Sequence, residues 1–151
     1  MHKKKVSTPN RHQARESAIE VLYAWQSGGG DDADIPSLIA GRLEEEDRTF
    51  QDQAYLRELV NGVTQNTSDL DSDISKVVNR SIRSVANLEL NIVRLALWEM
   101  KQRLEIPYKV IINEALELAR DYTDEPARGF INGVLDKLAQ QFRQTEVSNR
   151  Q

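Results

Sequence analysis

From Leu88 to Leu104 the chain carries Leu88, Leu90, Ile92, Val93, Leu95, Ala96, Leu97, Trp98 and Met100. At about 100° per residue these positions cover nearly the whole circumference of a helix. A helix that is apolar all round has to be enclosed by other elements, so the segment predicts a central, buried helix. The rest of the sequence supplies helices to enclose it. Apolar residues recur at spacings of three and four, and alternation at period two is nowhere sustained, which gives an all-α fold with no sheet.

The enclosing helices can be placed from their stripes and caps. The first is expected over 10–27, with Ala14, Ala18, Val21, Leu22 and Trp25 facing a core. Gly28, Gly29 and Gly30, followed by Asp31 and Asp32, form a flexible break; with no preceding strand, they are no phosphate-binding loop. A short helix over 35–45 is opened by Asp34 as N-cap, with Pro36 in the first turn where a missing N–H costs nothing. A third, over 50–65, turns Ala54, Leu56, Leu59, Val60 and Val63 inward. A fourth opens at Thr67 or Ser68 and carries Leu70, Ile74, Val77 and Val78, and Ser81 begins a brief turn. After the central helix, Pro107 starts a helix with Ile111, Ala115, Leu118, Ala119 and Tyr122 in one stripe. The last helix follows Thr123 or Asp124, with Phe130, Val134, Leu135 and Leu138 apolar. Gly133 in its interior costs about 1 kcal/mol relative to alanine, which predicts a close approach of a neighbouring helix. The polar stretch 143–151 is expected to be a flexible tail on a single domain spanning 1–142.

Charge is distributed unevenly. The net charge is −4, yet positions 1–15 hold Lys3, Lys4, Lys5, Arg11 and Arg15 and no acid, leaving −9 for the remainder. A basic arm on an acidic body fits a contact with a polyanion, the alternative being a solvated terminus. The chain has no cysteine, which excludes disulfides, thiolate nucleophiles and cysteine-ligated zinc, and agrees with a cytoplasmic location. Its two histidines, His2 and His12, both lie in the polar start and offer no metal-ligand spacing. No GxSxG, HExxH, CxxC or Walker pattern occurs, so neither an enzyme nor a cofactor is expected. The acidic clusters 44–47 and 69–73 are expected to be solvated faces and helix starts. No apolar run approaches the length needed to cross a bilayer. Tyr122 and Phe130 bracket the turn before the last helix with Arg128 between them, a set able to stack unpaired bases and contact phosphate; core packing is the alternative for each ring.

Three blocks in order, RHQARESAIEVLYAWQ at 11–26, LELNIVRLALWEM at 88–100, and IPYKVIINEALELARDY with GFINGVLDKLA across 106–139, resemble the bacterial NusB family. The resemblance implies about seven helices in two sub-bundles. It further implies binding of boxA-type single-stranded RNA together with NusE, a small-subunit ribosomal protein, within the RNA polymerase antitermination complex, notably on ribosomal RNA operons. The family's arginine-rich helix start falls on Arg11, His12, Gln13 and Arg15, a smaller arginine set than in the best-studied members, with Lys3, Lys4 and Lys5 available to compensate. Its aromatic RNA contacts fall on Tyr122 and Phe130, with Gly129 where some members have lysine and Val77 where some have an aromatic residue. For NusE it points to Tyr23, Glu89 and Arg94, and a charged pair on an apolar helix does require a partner. An intramolecular salt bridge is the alternative. A NusB-like domain fused to a methyltransferase does not fit a chain of this length. A protein adaptor, including a homodimer, is the remaining rival.

Overall fold

The computed structural model describes residues 9–28, 30, 34–45 and 51–149, all of them in helices and their connections, with no strand among them. Lys3, Lys4, Lys5 and Phe50 lie outside the described residues. The chain divides into two compact units, Met1–Gln65 and Asn66–Gln151.

In the first unit, α1 (Pro9–Ser27) packs against α2 (Ile35–Leu43) and α3 (Gln53–Gln65). All five residues of the predicted α1 stripe are buried. Asp34 caps α2, accepting from the Ser37 N–H at 3.3 Å and from the Ser37 hydroxyl at 2.8 Å. Before α2, Gly30 holds φ 73°, a backbone state that favours glycine and that the glycine-rich break supplies. α3 is entered through Asp52, whose Oδ1 accepts from the Tyr55 N–H at 3.0 Å. On α3, Leu56, Leu59, Val60 and Val63 are buried as expected, but Ala54 is exposed and Tyr55 occupies the buried position beside it.

The second unit is built on α5 (Asn87–Gln102), in which every residue from Leu90 to Met100 is buried. α6 (Tyr108–Tyr122) and α7 (Glu125–Phe142) pack on α5 and on each other, and α4 (Thr67–Ser75) lies against α5 and α7. A 3₁₀ turn over Ile82–Ser84 leads into α5, with Ser81 Oγ accepting from the Arg83 N–H. Asp124 caps α7 by accepting from the Ala127 N–H at 3.0 Å. Pro107 stands one residue earlier than expected, as the N-cap of α6.

Two expectations are overturned here. A Cβ built on Gly133 meets nothing within 4 Å and the residue is exposed, so no helix among the described residues explains that glycine. Nor is the polar stretch after Phe142 a free tail through Asn149. Residues Gln144–Ser148 form α8, and Arg143 is buried, donating to the carbonyls of Met100, Arg103 and Ile106 and to Glu146. Glu146 in turn accepts from the Tyr108 N–H at the open start of α6. The stretch is polar because its side chains serve backbone groups at the end of α5, in the connection and at the start of α6.

Candidate nucleic-acid interface

The expected site residues fall into three groups. The first is the basic start of α1. Arg11 and Arg15 lie four apart on one face of the helix and converge on Tyr55, their guanidinium carbons standing 4.0 Å and 5.6 Å from the ring centre. Arg11 also pairs with Asp52 at 3.7 Å. Arg15 has no exposed surface, which corrects its expected role: a residue that solvent does not reach cannot contact RNA. His12 is half-buried and faces Glu16 at 3.4 Å. Gln13 is half-buried with its amide oxygen out of solvent, so that atom is unavailable to a ligand. Of this group, Arg11, His12 and Gln13 retain surface, and Arg11 and His12 each already face a carboxylate.

The second group was expected to meet a protein partner. Tyr23, on α1, is 48% exposed, one of two large hydrophobic side chains among the described residues that stand out in solvent. Glu89 is half-buried in the first turn of α5. Arg94 is 4% exposed and fully engaged within its own unit. Its Nε and Nη2 donate to the two carboxylate oxygens of Asp71, each at 2.7 Å, and its Nη1 donates to Asn91 Oδ1 at 2.9 Å. Such a bidentate pair satisfies a buried guanidinium. The intramolecular alternative therefore describes Arg94, and the partner role expected of it is withdrawn. The same pairing, together with Lys101 to Asp73 at 2.7 Å, shows that two acids of the 69–73 cluster serve as internal counter-ions.

The third group surrounds Phe130, which is half-buried on α7. Arg128 was expected to share its surface, but two positions apart on a helix is a rotation of about 200°, so the two side chains do not face one direction. Arg128 instead lines an open groove of about 580 Å³ between α6 and α7, together with Arg120, Glu117 and Glu125. Tyr122 is half-buried at the end of α6. The cation at Phe130 is Arg80, which the sequence did not single out, with its guanidinium carbon 4.4 Å from the ring centre. Close by, Lys137 on α7 donates to the Val77 carbonyl at 3.4 Å. Arg80 lies fifty positions before Phe130, and no local pattern could have joined them.

Energies indicate what this arrangement can do. A guanidinium over an exposed ring is worth about 0.5–1 kcal/mol. A base stacked on an aromatic side chain is worth about 1–3 kcal/mol. The Phe130 ring can therefore exchange a weak internal contact for a stronger external one. The Tyr55 ring, 2% exposed, cannot.

An all-helical chain in two units, with a cation-bordered aromatic side chain on its surface, has the features of a helical nucleic-acid-binding protein. Its sequence places it further. The NusB family profile matches residues 12–140, and the chain belongs to the NusB family. It is 42% identical over 133 residues to the transcription antitermination protein NusB of Serratia proteamaculans, covering 88% of this chain and 94% of that one. It is 39% identical over 136 residues to the protein of that name from Stenotrophomonas maltophilia, covering 90% and 84%. Among solved structures it is similar to T. maritima NusB, with a TM-score of 0.79 and 26% identity over 95% of this chain and 99% of that one. It is also similar to a chain in a crystal structure of the antitermination factors NusB and NusE in complex with dsRNA, with a TM-score of 0.75 and 25% identity over 90% and 100%.

Proposed function

We propose that this protein is a transcription antitermination factor. It binds boxA-type single-stranded RNA together with NusE, joins the antitermination complex on RNA polymerase, notably during ribosomal RNA transcription, and performs no catalysis. The observation that carries the reading is Phe130, a ring kept partly open on α7 beside exposed cations, whereas the arginine-bearing Tyr55 ring is sealed in the core. Tyr122, Arg128, Arg11 and His12 are further RNA contacts, and Lys3, Lys4 and Lys5 add an electrostatic arm. Tyr23 and Glu89 offer NusE an exposed ring and an acid. No helix among the described residues is long and apolar enough to cross a membrane, in keeping with work in the cytoplasm on nascent RNA.

Withdrawal of Arg15 from the surface leaves less charge for RNA at α1 and raises the contribution of the protein partner. The protein-adaptor reading, as a homodimer or otherwise, draws on the same observation. Binding of a boxA-type oligonucleotide across a salt series, with and without NusE, separates the two. NusE is expected to tighten RNA binding, and RNA to tighten NusE binding by the same factor. Neutralising Lys3, Lys4 and Lys5 is expected to flatten the log–log salt slope by about 0.7 per lost phosphate contact. Absence of RNA binding in both conditions would leave the adaptor.

A further inference from the structure

The sequence from Ser75 to Leu88 carries Lys76, Arg80 and Arg83 and no acid. All three are exposed, as is Lys137 on α7, and none of the four pairs with a carboxylate among the described residues. Two of the nearby acids are committed elsewhere. On α4, Asp71 and Asp73 are held by Arg94 and Lys101. Asp136 follows the groove between α6 and α7, beside Tyr108 and Lys109. The cations of this rim are consequently uncompensated, in a chain that pairs Arg11, Arg42, Arg94, Lys101 and Arg143 with carboxylates. Two contacts hold the rim together: Arg80 over the Phe130 ring, and Lys137 on the Val77 carbonyl. Phe130 and Lys137 are seven positions apart, which puts them on one stripe of α7 about 10 Å apart along its axis.

We propose that this rim is a phosphate-binding track and that Arg80 is its switching residue. In the free protein Arg80 covers Phe130. When a base of single-stranded RNA takes the ring, Arg80 moves to the adjoining phosphate, while Lys76 and Lys137 hold neighbouring ones. The inference rests on the RNA-binding reading of Phe130 and adds residues to it. The physical basis is the ordering of the two contacts: base stacking outcompetes an exposed cation–π contact, and a displaced guanidinium beside a polyanion gains a charge-assisted hydrogen bond. Arg80 is long enough to serve both partners, and no carboxylate holds it back.

The test uses the full chain and a boxA-type single-stranded oligonucleotide, with NusE present, over a salt series. Arg80→Gln is expected to weaken binding at low salt and to reduce the magnitude of the log–log salt slope by about 0.7, the loss of one phosphate contact. Arg80→Lys keeps the charge and is expected to retain the slope. Phe130→Ala is expected to weaken binding without changing the slope, since stacking releases no counter-ion. Combined neutralisation of Lys76 and Lys137 is expected to lower the slope further. Because Arg80 is exposed, circular dichroism of Arg80→Gln should match the parent. An Arg80→Gln slope equal to that of the parent overturns the proposal. So does tighter binding by Arg80→Gln, which would make Arg80 a shield over the ring and not a ligand for RNA. In both cases the Phe130→Ala loss still stands, and with it the RNA-binding reading. A parent protein with no affinity for the oligonucleotide overturns both.

Discussion

The Tyr55 and Phe130 rings both carry arginines, and they have opposite fates. Tyr55 lies under Arg11 and Arg15 in the first unit, with the ring and Arg15 closed to solvent. Phe130 lies under Arg80 in the second, with the arginine exposed and the ring half-open. The chemistry of the contact is the same. What differs is whether the guanidinium can leave. At Tyr55 departure would bury an uncompensated charge or open a void, and the contact is part of the scaffold. At Phe130 departure costs one weak contact, so the ring can be offered to a ligand. An arginine beside an aromatic residue is thus no mark of a binding surface until burial has been considered.

That contrast can be broken most directly at the scaffold end. Tyr55→Ala is expected to destabilise the protein by about 3–5 kcal/mol in urea unfolding, as a large buried ring is lost and Arg15 is stripped of its cover. A loss below about 1 kcal/mol would end the distinction between the two rings. Asp71→Ala extends the test to the other buried arginine. It leaves Arg94 without its bidentate partner and should cost about 3 kcal/mol, the lower end of the range for a broken buried pair because Asp71 retains some solvent. If the unfolding midpoint does not move, Arg94 is free for a partner after all. At the other ring, Phe130→Ala should cost about 1–3 kcal/mol of RNA affinity by titration while folding stability changes less than in Tyr55→Ala. The smallest effect is expected at Gly133, on the same helix as Phe130. Gly133→Ala relieves a helix-interior glycine in open space and should stabilise by up to about 1 kcal/mol in thermal unfolding. Weaker NusE or RNA binding by that variant would assign the glycine to a partner's close approach.

Helix positions were legible because their determinants are local. Asp34 and Asp124 mark the starts of α2 and α7 through side-chain caps, and the unbroken apolar run of α5 announces its burial. The fate of individual arginines was less legible. Arg15 did leave a trace, since it precedes Ile19 by four and Leu22 by seven and so shares their buried face. Arg94 left none, because its counter-ion lies on another helix. The same is true of Arg80, whose relation to Phe130 exists only after α4 and α7 have packed. Ala54 was misplaced because a methyl group sits equally well on either side of a helix boundary, and Tyr55 had the stronger claim to the interior. The stretch after Phe142 was misjudged for a related reason: polarity there serves backbone carbonyls, a demand that composition does not display.

Those carbonyls impose an order on how the second unit is completed. The Met100 and Ile106 oxygens accept from a guanidinium that enters the chain some forty residues later. As the protein emerges from the ribosome, α5 and the turn to α6 are exposed well before Arg143 arrives to close them. The turn is therefore a late-sealing joint, open to chaperones and proteases in a nascent chain. A chain stopped short of Arg143 would carry that vulnerability permanently.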